Sequence, residues 1–320
     1  MSVNYDRACR VMIGSGSGTV VDFSKFRVKF LVKQWTTQSL NAAEVRIYNL
    51  ARETASLVAG QTTEFKQIRI DAGYLGLNGQ SNVGTIYDGS IIKSQTGRET
   101  PTETFADFFC RDGDKAYNWG IINKTFAAGA KQRDIVEEVL KVYKPFEIAE
   151  GMIKGLSETP YRRPLVLFGM ARDVMRWIAH SNEATWNLQS GKLNHIPNKD
   201  EGSGETFVLN ANTGLVGMPQ ETVNGIIVRS LINPKLKVNG KVEIAEKSIN
   251  RAPWLLNYDD STTNQLLATL GTSDGVYRII GLERRGDTRG QEWYDELVCI
   301  GAKTGAQPAG SNRNVNFTGN

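Results

Sequence analysis

Hydrophobic and polar residues alternate along the first third of the chain. In residues 26–35 (F-R-V-K-F-L-V-K-Q-W), Phe26, Val28, Phe30 and Val32 fall on one face and Arg27, Lys29 and Lys33 on the other. That period of two is the signature of a half-buried strand. Residues 44–50 (E-V-R-I-Y-N-L) and 65–72 (F-K-Q-I-R-I-D-A) repeat it, and 85–94 and 102–111 predict two further strands. A short helix fits Arg52–Ala59, with Gly60 free to adopt a left-handed stop. Several short alternating segments separated by glycine-bearing turns predict an antiparallel barrel or sandwich.

The period then changes. Residues 130–144 place Ile135, Val136, Val139, Leu140 and Tyr143 at helical spacing before Pro145, and 171–184 do the same with Ala171, Val174, Met175 and Ile178. From residue 185 the strand signal returns. A hairpin is predicted to turn at Ser190–Gly191, strands at 225–232 and 236–244 (with Asn239–Gly240 as a tight turn), and further strands at 275–281 and Trp293–Gly301. A helix over 263–270, begun by Thr262 with Gln265 and stopped by Gly271, sits in a helical insertion at about 247–273. The chain is thus expected to be a β-rich α+β protein: a β region over 1–113, an α/β section over 114–184, a second β region over 185–303, and a flexible tail over 304–320 that lacks apolar periodicity.

Composition narrows the chemistry. The 320 residues are 40% hydrophobic and 22% charged, with a mean hydropathy of −0.34, as in soluble globular proteins. Two histidines (His180, His195) and three scattered cysteines (Cys9, Cys110, Cys299) leave too few ligands for most zinc sites and do not form a disulfide framework. The net charge of +4 is spread thinly, with no basic block of the kind that marks a nucleic-acid reader. The N-terminus lacks the apolar core of an export signal, and the best apolar run, 165–171, is far short of the roughly 20 residues that span a bilayer. No cofactor is expected.

Motifs that suggest catalysis do not have the right context. Gly14-Ser15-Gly16-Ser17-Gly18 follows a strand, but Thr19 holds the third glycine position of a dinucleotide loop and a strand follows where a helix is needed. Gly271-Thr272-Ser273-Asp274-Gly275 matches G-x-S-x-G, yet a helix precedes it and a strand follows, the reverse of a nucleophile elbow. Glu103 and Asp112 have the first spacing of a phage-lysozyme pattern, but Asn118 stands where threonine belongs; Asp259–Asp260 and Glu137–Glu138 are pairs that chance supplies. His180 near a helix end and His195 at a strand end read as structural. No catalytic or metal residue is assigned.

Three stretches together resemble the baseplate hub proteins of long-tailed, contractile-tail bacteriophages, the group that includes the hubs of the T-even phages and phage Mu. The first is 43–92, especially E-V-R-I-Y-N-L, I-R-I-D-A-G-Y and T-I-Y-D-G-S-I. The second is 214–244, G-L-V-G-M-P-Q-E-T-V-N-G-I-I-V-R-S-L-I-N-P-K-L-K-V-N-G-K-V-E-I. The third is 275–299, G-V-Y-R-I-I-G-L-E-R-R-G-D-T-R-G-Q-E-W-Y-D-E-L-V-C. The motif positions are Gly73, Tyr74, Gly89, Pro234, Gly240, Gly286, Asp287, Gly290 and Trp293.

The resemblance implies two tube-protein-like antiparallel β-barrels with the α/β section between them. Three chains would close a ring whose six barrels imitate a six-fold tube, which reconciles a three-fold spike with a six-fold tail. The expected role is a homotrimeric structural hub in the virion tail baseplate, assembled in the host bacterial cytoplasm. It would touch tail tube protein and central spike protein, with tape-measure and surrounding baseplate proteins as further neighbours, and phage DNA would pass through without stable binding. A tail-associated cell-wall hydrolase and a host carbohydrate-binding module are the alternatives. The glycine-bearing segments 14–19, the tail after Lys303, and above all Leu75, Gly76, Leu77, Asn78, Gly79, Gln80, Ser81 and Asn82 are candidate interface loops.

Overall fold

The computed structural model describes residues 4–14, 20–59, 67–76, 81–222, 225–244 and 275–301. The first β region contains β1 (Arg7–Gly14), β2 (Val20–Asp22), β3 (Val28–Trp35), β4 (Ala42–Tyr48), helix α1 (Arg52–Ala59), β5 (Gln67–Tyr74), β6 (Gly84–Arg98) and β7 (Thr104–Arg111). In β3 the alternation read from sequence is the packing itself: Val28, Phe30 and Val32 are buried in a core shared with Val45, Ile47, Ile70 and Phe108. Gly14 pairs with Val20 across β1 and β2, so the next described element after Gly14 is an antiparallel strand.

The middle section contains α2 (Asp114–Trp119), β8 (Ile121–Phe126), α3 (Gln132–Tyr143), β9 (Ala149–Ile153), β10 (Leu165–Met170), α4 (Ala171–Ser181), β11 (Ala184–Gln189) and β12 (Lys192–Pro197). Its core joins Ile135, Val136 and Val139 of α3 to Val174, Met175 and Ile178 of α4. The hairpin β11–β12 turns at Ser190–Gly191, both at positive φ as a two-residue reversal requires. It pairs with β9 and buries Trp186, Leu188 and Leu193 in this middle core. Periodicity had put the hairpin at the head of the second β region; its packing puts it with the helices.

The second β region adds β13 (Ser203–Leu209), β14 (Gln220–Thr222), β15 (Gly225–Leu231), β16 (Gly240–Ile244), β17 (Val276–Asp287) and β18 (Trp293–Gly301). Residues 236–239, expected to be strand, form the turn before β16, with Asn239 at φ 67°. The expected helix at 263–270, the insertion around it and the tail lie outside the described residues.

One 13-stranded, largely antiparallel sheet runs through both β regions in the order β14-β15-β18-β17-β3-β4-β7-β6-β5-β1-β2, with β16 also on β17 and β13 parallel to β16. The join is β17. Its first half pairs with β16 and its second half with β3, from Gly281 opposite Trp35 to Asp287 opposite Lys29, while β18 runs along its other edge. The protein is therefore β-rich with few helices. Among the described residues no helix is long and apolar enough to cross a membrane.

Candidate functional site

The β17–β18 hairpin is the element on which the two β regions close. Its turn, G-D-T-R-G, is held by Asp287, whose carboxylate accepts the Arg289 amide (2.9 Å) and pairs with Arg27 (2.9 Å) and Lys29 (3.8 Å) of the first region. Burial alone would raise this carboxyl, but the Arg27 hydrogen bond, the Arg289 amide and the two cations outweigh it and hold it below the usual carboxylate range. The Thr288 amide donates to the Val28 carbonyl and its hydroxyl accepts the Val28 amide, both at 3.0 Å. Gly286 leaves room for Phe30, which meets Trp293 edge-on at 5.6 Å. Arg7 lies over Trp293 and donates to the Gly290 carbonyl at 2.9 Å.

Beneath this turn lies a buried ion pair. Arg284 and Asp295 approach to 3.4 Å with side chains 2% and 0% exposed. Arg284 also donates to the carbonyls of Asn233 (3.2 Å) and Leu236, and Asp295 accepts the Asn233 amide at 3.0 Å. Burial pushes Asp295 up to about 6 despite its partner, and pulls Arg284 down. The pair fixes the loop carrying Pro234, with Ile232 in the first core and Leu236 in the second. Pro234 in turn closes on Gly84.

Of the residues singled out from sequence, Gly73, Tyr74, Pro234, Gly286, Asp287, Gly290 and Trp293 gather at or beside this seam. Gly73 (φ 154°) has no space for a side chain against Asn82 and Val83, and the Asn82 amide donates to the Tyr74 carbonyl. Tyr74 is buried, which pushes its hydroxyl up to about 12. Gly89 stands apart, packed on Tyr87 and the Arg111 carbonyl. Gly240 lies in a second contact, where Asn239 bonds Asp200 (3.2 Å) and Arg278 donates to the Asn198 carbonyl (2.9 Å), tying the second region to the middle section.

At one end of the seam Leu75 and Gly76 bond back to Asp6 and Tyr5, leaving Tyr5, Leu75 and Val83 exposed by 60, 47 and 36%. Leu77, Asn78, Gly79 and Gln80 of the expected interface loop lie outside the described residues; Ser81 and Asn82 lead into Val83. Asn4 reaches Gly214, beyond which Val216 and Met218 are also exposed. Both β regions thus contribute apolar groups here.

The sheet face turned away from the two cores carries a ladder of opposite charges across strands. Arg229 meets Glu296 at 3.2 Å, Glu283 meets Lys33 at 3.8 Å and Arg285 at 2.5 Å, and Arg46 meets Asp107 at 2.7 Å. A shallow cavity of about 590 Å³ lies on it between Lys29, Arg46, Lys93 and Arg285. Sequence reasoning missed the Arg284–Asp295 pair, although the signal was there: inward Leu282 and Leu297 place Arg284 and Asp295 inward too.

The residues weighed for catalysis do not assemble. Glu103 and Asp112 stand at opposite ends of β7, nine residues or roughly 30 Å apart at the extended-strand rise. Glycosidase carboxylates need about 5–9.5 Å. Glu137 and Glu138 pair with Arg133 and Lys141 on α3. His195 is buried, which lowers its pKa, and its Nδ1 lies 2.7 Å from the Lys154 carbonyl; His180 is exposed at the end of α4. Asp259, Asp260 and Ser273 lie outside the described residues. Among the described residues no three His, Cys, Asp or Glu side chains are grouped to hold a metal.

No family model and no curated protein matches the sequence. Solved structures do match the fold. The 43 kDa tail protein of prophage MuSo2 from Shewanella oneidensis is similar with a TM-score of 0.59 at 8% identity, over 93% of this chain and 99% of that one. A tail protein from Neisseria meningitidis MC58 gives 0.55 at 10%, over 94% and 99%. The E. coli c3393 protein, a component of the type VI secretion system with structural similarity to the T4 tail proteins gp27 and gp5, gives 0.52 at 11%, over 88% and 76%. The resemblance first seen in three stretches of sequence extends to the whole architecture, and this chain has the fold of the Mu-like and T4-like phage tail proteins.

Proposed function

We propose that the chain is a structural phage tail protein, a homotrimeric baseplate hub that joins the six-fold tail tube to the three-fold central spike. The observation that carries this reading is the continuous sheet. Because β17 pairs with β3, each chain holds its two β regions in one continuous sheet, and three such chains would present six β regions in a ring. In this reading the regions are two tube-like barrels, one over 1–113 and one from β13 onward, and the α/β section, with the β11–β12 hairpin in it, stands beside them.

The charge ladder is assigned to the channel wall. Its cations are matched by neighbouring carboxylates, so it offers passing DNA few unpaired phosphate contacts to slow it. The exposed apolar end of the seam, with the loop from Leu75 to Asn82, is assigned to the contact with tail tube or a neighbouring hub subunit. Tube and spike proteins are the partners, and the virion tail is the location. The acid pair weighed for the hydrolase alternative, Glu103 and Asp112, stands too far apart for that chemistry, and no enzymatic role is assigned. Light scattering on the purified chain tests the reading: a particle of three 35.4 kDa chains is expected, and a monomer at assembly concentrations would refute it.

A further inference from the structure

The ribbon formed by β8 and β10 has one face in the middle core, through Ile122 and Leu167. The other face is turned outward, and no described element packs on it. Register places Ile121 opposite Met170, Asn123 opposite Phe168 and Thr125 opposite Val166 on that side. Ile121, Val166 and Phe168 are 60, 67 and 80% exposed, and Trp119 at the ribbon's end is 65% exposed. Single exposed apolar residues are ordinary. Three on one face, with Trp119 just before them in the chain, are not.

None of the six positions on the outer face is ionisable, in a chain that is 22% charged. Loss of charge is what distinguishes the centre of a permanent interface from ordinary surface. The exposed apolar groups amount to on the order of 500 Å², at the upper end of what a monomer shows. A stable interface takes about 800 Å² from each partner, so the patch is the right size for the core of one, with polar surroundings left for the rim.

We infer, resting on the trimer reading above, that this ribbon face is a subunit contact the trimer depends on and that on the next copy it seats in the groove between α3 and the start of β9. A ring of three requires two different patches on each chain that fit one another. The groove is the second patch. It is an open groove of about 550 Å³ over Leu140, Ile148 and Ala149, wide enough for the Phe168 ring. Arg162 and Arg163, just before β10, are exposed, and the groove rim carries both Glu147 and Lys144, so its charge is mixed and the fit rests on the apolar groups. A face without charge suits a contact made once at assembly; a transient partner would leave it in water.

Two variants test this. Phe168→Asp changes a side chain that touches little, so circular dichroism and melting should stay as in the wild type while the particle falls from three chains to one. Phe168→Cys combined with Ala149→Cys should, on mild oxidation, link chains into covalent dimers and trimers, and neither single variant should. The natural thiols do not interfere: Cys110 and Cys299 are buried, and burial pushes the Cys9 thiol up to about 12. A wild type that is monomeric overturns the trimer reading and this inference together. A trimeric wild type whose Phe168→Asp variant is also trimeric overturns this inference alone, even if that variant fails to join tails, because the ribbon would then belong to another protein. Loss of trimer in Phe168→Asp without cross-linking in the double-cysteine variant overturns the assignment of the groove.

Discussion

Replacing Asp295 by alanine should loosen the seam between the β regions more than any surface change. The side chain is fully buried, faces Arg284 at 3.4 Å and accepts the Asn233 amide at 3.0 Å. Its removal strands a buried guanidinium, and breaking one partner of such a pair costs about 3–5 kcal/mol. The upper half of that range is expected here, because the Asn233 amide also loses its acceptor. In hydrogen exchange this is a speeding of roughly 10³- to 5 × 10³-fold for the amides of β17, β18 and residues 233–236. Replacing both partners together, Arg284→Met with Asp295→Leu, should recover much of the loss, since the pair's mutual attraction largely offsets its desolvation. The coupling across wild type, Arg284→Met, Asp295→Leu and their double variant should exceed about 1 kcal/mol. Exchange that speeds less than tenfold in Asp295→Ala, or a double variant no better than that single one, would refute the reasoning.

Charging the seam end, with Leu75→Asp and Val83→Asp together, should leave the urea midpoint nearly unchanged, within about 0.5 kcal/mol, because both side chains are exposed. It should sharply reduce incorporation into tails; wild-type incorporation would show this end to be a bystander. Asp112 is buried, which pushes its carboxyl up to about 6 against hydrogen bonds from the Ser190 and Gly191 amides. A carboxyl raised above its unfolded value contributes stability fully below about pH 4 and loses it as pH rises through about 6, a change on the order of 3 kcal/mol. Urea midpoints at pH 4.5 and 7.5 should therefore differ less in Asp112→Asn than in the wild type, and equal differences would count against it. Gly286→Ala would put a methyl 2.5 Å from Phe30 Cε1 and 3.0 Å from Trp293 Cε3; a loss of about 1–3 kcal/mol is expected in the same titration, and a neutral result would mean that the hairpin yields freely.

Legibility in the sequence followed how local each signal is. β3 could be read because one face is buried and the period shows it, and α1 because Gly60 offers a stop. The six residues of α2 are too few to show a period, and β13 is a parallel strand with little burial. β17 was read only to Gly281, because L-E-R-R-G-D looks like a charged loop; it continues as strand since β3, some 250 residues earlier in the chain, pairs with it. The same non-locality explains the hairpin β11–β12, whose alternation marks strands without saying which core they join. At the seam, the glycines, Asp287 and Trp293 were named through resemblance, and their gathering around Arg27, Phe30 and Arg7 became visible only in three dimensions. The ribbon's apolar run at 165–171 was noticed as too short for a membrane, but its outward face depends on which residues Ile122 and Leu167 pack against.

Electron cryomicroscopy of tails assembled with this protein tests the central claim most directly. The account predicts three copies in one ring between the last tube layer and the spike, with six β regions around a channel whose wall carries Arg229, Glu296, Glu283 and Lys33. A ring of six copies, a position away from the tube–spike junction, or that charged face turned outward would contradict it.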